Sequence, residues 1–310
     1  MARLTRKERC VPDMLKMYIR QFKMFLKAVV GVAVILSFWS CATSHISGLG
    51  SNKEFDKTAS ADYERIGDTY YHQKNYQMAF VKYDRAVSLN PENVYARYKK
   101  ALARLAAGQN PKALEEFEAI INNYPEYALA YEGRGRAFFL LDNKKRAMES
   151  FHKAISMNPD LWLSHAYLGI LYDSQKQHAN ALKEHRTAIR LQPNDGALYN
   201  NLGISYLMVS DYDRAVRAFE TALAKNYQHQ KVYNNLGYAL SKIGLYKEAY
   251  QAFQKAGGPA AAYNNLGCGF MANEDMENAM VYFRKALEIK PEFYKKAADN
   301  IKKAEYASRQ

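Results

Sequence analysis

The chain has 310 residues, 48% hydrophobic and 24% charged, enough apolar side chain to bury a core. Only 8 Pro and 16 Gly exclude a collagen-like or low-complexity chain, and 3 Cys exclude a small scaffold stapled by disulfides. The net charge of +13 is uneven: residues 1–40 hold eight basic and two acidic side chains, leaving +7 dispersed over the other 270 residues. Nucleic-acid recognition needs Lys and Arg clustered on one face, so no nucleic-acid partner is expected.

The first 40 residues read as an address. A basic stretch ending at Lys27 is followed by the uncharged run Ala28 to Trp39. Such a run is too short for a bilayer span of about 20 residues but fits the apolar region of a signal peptide. Ser40 and Cys41 come next, and the order apolar run, small residue, Cys resembles the lipobox of bacterial lipoproteins. Phe38 and Trp39 stand where that family prefers Leu and a small residue. The resemblance implies a signal peptide over 1–40 and acylation of Cys41, which anchors the mature chain to a membrane. The expected location is the periplasmic face of the outer membrane. The other reading of Cys41 is an ordinary thiol after an uncleaved anchor. Residues 41–59 then comprise the lipidated Cys and a Ser/Gly/Lys-rich tether without apolar periodicity.

From Ser60 onward one 34-residue unit recurs. Position 8 is Gly67, Ala101, Gly135, Gly169, Gly203, Gly237 and Gly267; position 20 is Ala79, Ala113, Ala147, Ala181, Ala215, Ala249 and Ala279. Aromatic side chains recur at positions 4, 11 and 24, as in Tyr63, Tyr70 and Tyr83, and Pro91, Pro159, Pro193 and Pro291 stand at position 32. The sixth unit is shortened at Gly257-Gly258-Pro259, where a tight turn is expected. This pattern resembles the tetratricopeptide repeat (TPR) over residues 60–293. It implies an all-α fold, a right-handed superhelical solenoid of seven TPR helix pairs. Small residues let paired helices approach, and the aromatics fill the gap to the next unit. Residues 294–310 place Ala297, Ile301 and Ala304 at helical spacing among lysines, which reads as a capping helix.

The second unit departs from the pattern. Arg97, Lys100 and Arg104 fall at positions 4, 7 and 11, and Tyr95, Tyr98, Leu102 and Leu105 form the apolar stripe. A helix rotated by about one residue, with those four packed inside, is expected.

No nucleotide loop, nucleophile elbow or paired-Cys metal spacing occurs, so no enzyme, cofactor or metal is expected. His165 and His185, at positions 4 and 24 of the fourth unit, read as stand-ins for aromatics. Cys268 reads as an inert thiol.

In the TPR family the first helix of each unit lines a concave groove through positions 2, 5, 9, 12 and 13. Those positions here give Phe139, Leu163, Ile170, Ile204, Leu207, Met208, Lys231, Tyr238 and Met271. An apolar groove suits a helix or peptide of a partner protein. The alternative is that neighbouring first helices bury positions 9 and 12 against each other. Tyr-Asn-Asn-Leu-Gly recurs at 199, 233 and 263, placing Asn200, Asn234 and Asn264 at position 5 as a ladder that could grip an extended backbone.

A lipoprotein signal, a tether and this array together resemble the Tad/Flp-type pilus-assembly lipoproteins. That resemblance implies a membrane-anchored, non-enzymatic scaffold for a pilus or secretion machine. The alternative is an adaptor for periplasmic peptidoglycan hydrolases.

Overall fold

The computed structural model describes residues 53–290, 298–302 and 304. The signal peptide, Cys41 and the start of the tether lie outside the described residues. Every regular element among the described residues is helical.

Two compact bodies divide the chain after Pro159. The first carries α1 (Lys53–His72), α2 (Tyr76–Leu89), α3 (Val94–Ala106), α4 (Asn110–Asn123), α5 (Ala128–Leu140) and α6 (Lys144–Met157). The second carries α7 (Trp162–Ser174), α8 (His178–Leu191), α9 (Gly196–Met208), α10 (Tyr212–Ala224), α11 (Gln230–Lys242), α12 (Tyr246–Ala272) and α13 (Met276–Ile289). In each unit the first helix pairs with the second, as the 34-residue period requires. α1 starts at Lys53, so helix covers the last part of the segment whose composition reads as tether. There Ser60 is fully buried and its hydroxyl donates to the Ala86 carbonyl at 2.8 Å.

The close approach comes from the expected column. Ala79, Ala113, Ala147, Ala181, Ala215, Ala249 and Ala279 are all fully buried. The ring at position 24 packs on the position-8 glycine of its own unit: a Cβ on Gly203 would stand 2.6 Å from Phe219, and one on Gly267 2.6 Å from Phe283. This ring therefore closes the pair itself, a role beyond the expected filling of the gap between units. Only Phe117, whose own unit has Ala101 at position 8, meets a glycine of the next unit, Gly133.

One turn joins every pair. The residue at position 15 has positive φ throughout: Lys74, Gly108, Asp142, Lys176, Ser210, Gly244 and Glu274. Its N–H donates to the carbonyl at position 12 and the next N–H to that at position 11, as in Ser210 to Leu207 at 3.1 Å and Asp211 to Tyr206 at 2.9 Å. These are the paired bonds that close a helix C-terminus. Position 16 then caps the following helix, with Asn75, Asn143, Asp211 and Asp275 each accepting from a backbone N–H.

The shortened junction is a single residue. α12 runs from the sixth unit into the seventh and breaks only at Gly258, with φ 79° and ψ 178°, before Pro259 restarts the helix. A Cβ at Gly258 would have open space, so conformation rather than crowding requires glycine there. At the far end of the same helix, side chains tie the sixth and seventh units together. Asn273 donates to the Ser241 carbonyl at 2.9 Å and the Tyr246 hydroxyl at 3.0 Å, and accepts from Lys242 at 2.8 Å.

The second unit is not rotated. Ala101 keeps position 8 fully buried, with Tyr98 and Leu105 in the core. Tyr95 is 47% exposed and Leu102 half-buried, so the stripe of four is only partly inside. The basic side chains find acids instead: Lys100 reaches Asp84 and Glu116 at 3.2 and 3.1 Å, and Arg104 reaches Glu116 at 3.2 Å. The fully buried Ala96, Ala101 and Ala103 keep the helix in the phase of the other units, and the ion pairs let Lys100 and Arg104 sit at the edge of the core.

Residues 298–302 and 304 are helical, and Ala304 is fully buried, as expected of a cap.

Candidate partner-binding site

The named first-helix positions separate by burial. Phe139, Ile170, Ile204 and Leu207 are buried, at 3%, 1%, 5% and 7% exposure, and Asn200 and Asn264 are buried as well. The first four follow the alternative reading, in which positions 9 and 12 are packing positions. Leu163, Met208, Lys231, Asn234, Tyr238 and Met271 remain half-exposed. Lys231, Asn234 and Tyr238 are spaced by three and four residues along α11, so they share one helix face. Burial holds the Lys231 ammonium below its usual range and pushes the Tyr238 hydroxyl up to about 12.

The asparagine row is largely committed within the molecule. Asn265 donates to Asn234 Oδ1 at 3.1 Å, and Asn264 donates to Asn265 Oδ1 at 3.3 Å. Asn300 of the C-terminal segment donates to Asn264 Oδ1 at 3.2 Å. Asn200 differs: its Nδ2 points to Asn201 at 3.5 Å, and its buried Oδ1 accepts no hydrogen bond. The ladder is therefore mostly a contact between successive units, and only Asn200 keeps an unused acceptor in the row. One side-chain relay across two units carries no period in the sequence, so pattern reading alone had no access to it.

A second polar cluster escaped the sequence reading. Asp173 is buried at position 12 of the fourth unit, where its neighbours carry Phe139 and Leu207. It accepts from the Ser205 hydroxyl at 2.5 Å and lies 2.9 Å from His178 Nδ1 and 3.7 Å from His185 Nε2. His185 is fully buried in the position-24 pocket, and His165 stands 2.5 Å from Glu184. Both histidines do occupy aromatic positions. The signal that could have found the cluster was an Asp at a column that carries Leu105, Phe139, Leu207 and Met271 in other units, three residues before the turn. Ser205 binds the carboxylate rather than an imidazole, so the group lacks the relay that activates a nucleophile. Among the described residues no cluster of His, Cys, Asp and Glu is arranged to hold a metal, and no helix is long and apolar enough to cross a membrane.

Sequence models of the tetratricopeptide repeat match residues 60–93, 98–161, 200–263 and 260–293, together more than half of the chain. Among curated proteins, the TPR repeat-containing thioredoxin TTL4 of Arabidopsis thaliana is 36% identical over 73 residues, 24% of this chain and 11% of that protein. Superkiller complex protein 3 of Homo sapiens is 27% identical over 79 residues, 26% of this chain and 5% of that protein. The chain thus spans only a small part of these relatives. Among solved structures, a thermophilic TPR protein of Thermus thermophilus superposes with a TM-score of 0.52 at 22% identity, covering 59% of this chain and 99% of that one. YrrB, described as a TPR protein with an unusual peptide-binding site, gives 0.51 at 20% identity, covering 63% and 98%. At these identities the likeness is one of fold.

Proposed function

Because this chain belongs to the tetratricopeptide repeat family, we propose that it is a non-enzymatic scaffold that holds a peptide or helix of a partner protein on the first-helix face of its fifth and sixth units. The observation that carries this reading is the half-exposed strip Lys231, Asn234 and Tyr238 on α11. Burial lowers the pKa of the Lys231 ammonium, and an acceptor on a partner would offset that desolvation. Met208 at position 13 of the fifth unit and Met271 at position 12 of the seventh add adaptable apolar contact on the neighbouring first helices. The peptide-binding site named for YrrB supports the reading as an analogy of fold alone.

The finer reading draws on the sequence. The basic and apolar leader with Cys41, followed by the repeat array, supports a lipid-anchored protein at the periplasmic face of the outer membrane. There it would assist assembly of a pilus or secretion machine. Fatty-acid labelling of wild type and Cys41→Ala tests the anchor, and equal label in both overturns it. Capture from solubilised envelopes with the full chain, followed by mass spectrometry, tests the partner. Secretin or pilus components are expected; cell-wall hydrolases would favour the adaptor reading instead.

A further inference from the structure

Position 16 ends the turn inside each unit and starts the second helix. Every other unit has a polar residue there, and Asn75, Asn143, Asp211 and Asp275 each cap that helix with a side-chain hydrogen bond. The sixth unit has Leu245, which makes no cap bond and is 45% exposed. A polar cap stabilises a helix start, and a leucine left this open recovers little by burial. The neighbouring turn, between α9 and α10, carries Val209 at 42% exposure with Met208 half-exposed beside it, and Ile243 is half-exposed two residues before Leu245. The two turns lie side by side: Lys242 Nζ, on the residue before Ile243, stands 5.7 Å from the centre of the Tyr212 ring at the start of α10. Four apolar side chains thus share the turn edge of the fifth and sixth units.

We propose that this edge is a docking strip for an amphipathic helix of a partner protein whose apolar face is flanked by Lys or Arg. Charge decides the flanks. Acidic side chains outnumber basic ones six to three over residues 208–214, 242–248 and 271–277, in a chain whose net charge is +13. Two of the three bases are already engaged, Arg214 with Asp211 and Lys242 with the Ala272 carbonyl and Asn273 Oδ1 at 3.1 and 2.8 Å. Asp213, Glu248 and Glu277 stay exposed around the apolar strip. The helix dipole accounts for acids at these helix starts, but it does not account for an exposed leucine in place of a cap. An apolar strip rimmed by acids suits a partner with a basic rim and disfavours an acidic one. The strip lies on the turns, apart from the first-helix face proposed above, and does not depend on that reading.

The probe is a fluorescein-labelled amphipathic peptide of Leu and Lys, about 18 residues or five helical turns long, titrated by anisotropy with the full chain. Leu245→Asn is expected to weaken binding about tenfold while raising the thermal midpoint by about 2–4 °C, since it removes an apolar anchor and restores a cap. Val209→Gln should also weaken binding with the midpoint unchanged, and a matching peptide of Leu and Glu should not bind. The proposal is overturned if the Leu/Lys peptide fails to bind, binds wild type and both variants alike, or binds no better than the Leu/Glu peptide. A lowered midpoint in Leu245→Asn would make Leu245 a packing residue and overturn it as well. Retention on phosphatidylglycerol vesicles that Leu245→Asn abolishes would assign the strip to a lipid surface instead. Tyr238→Ala, on the first-helix face, bears on the proposed function alone.

Discussion

The imidazole of His185 packs on the backbone of Gly169 so closely that a Cβ there would stand 2.4 Å from Cε1. The same pocket holds Phe151 over Gly135 and Phe219 over Gly203 in the flanking units. His185 brings two ring nitrogens into it, and neither makes a hydrogen bond. Replacing it by Phe is expected to stabilise the protein by about 1 kcal/mol, since an unsatisfied buried polar group costs about 1–3 kcal/mol. Urea unfolding of His185→Phe checks this; a loss of stability would show that the 3.7 Å approach to Asp173 matters more. Gly169→Ala should cost about 1–3 kcal/mol through overpacking.

Asp173 should behave as a structural residue. It is buried, with Ser205 and His178 as partners, so Asp173→Ala removes the acceptor for both. A loss of about 3 kcal/mol or more is expected in urea unfolding, because breaking a buried charge network strands its partners. Unchanged stability would remove the cluster from the stacking of the fourth and fifth units.

Leu207 at position 12 and Tyr238 at position 9 are both first-helix groove positions but differ in burial, and their substitutions should separate. Leu207 is 7% exposed, so Leu207→Asp buries a charge and is expected to unfold the array. Tyr238→Ala should leave the helical content and melting nearly unchanged while weakening partner capture about thirtyfold, roughly 2 kcal/mol for an interface anchor. Lys231→Met should also weaken capture and should not lower stability, since burial already disfavours its charge. Circular dichroism melts and binding by the captured partner read both effects.

The turn residues offer a gain. Ser210 holds φ at 59°, in the region where Gly244 stands at 82° in the next unit. Ser210→Gly is expected to stabilise by about 0.5–1 kcal/mol, because a side chain with a Cβ is strained there. Thermal melting tests it, and a lowered midpoint would mean that chain entropy outweighs the relief.

His229 carries the pH dependence of the fifth-to-sixth junction. Burial lowers its pKa, and the charge of Lys231 lowers it further. The unfolded chain therefore takes up the proton first as pH falls. The stabilising contribution is complete above the ordinary histidine value of about 6.5 and is lost below it, toward the folded value. Comparing His229→Gln with wild type in urea at pH 7.5 and 5.5 should show a shallower loss in the variant. Lys231→Met should shift the profile in the same direction.

The repeat period, the paired helices and the tight Ala and Gly columns were all legible in the sequence. Each arises from a local steric demand that repeats every 34 residues: Ala215 and Gly203 are small because two helices must touch. The left-handed turn at position 15 was hidden because Lys74, Asp142 and Glu274 occupy it as well as glycine, the backbone bonds to positions 11 and 12 forcing the conformation. Tertiary structure alone decided which first-helix residues stay open. Ile204 and Tyr238 hold the same place in the period, yet one is buried and the other half-exposed. Exposure depends on what the neighbouring helix places opposite, and that partner lies about one repeat away. The same reason governs Asn234 and Asn264, whose acceptors are filled from the next unit and from the C-terminal segment, while Asn200 keeps its own.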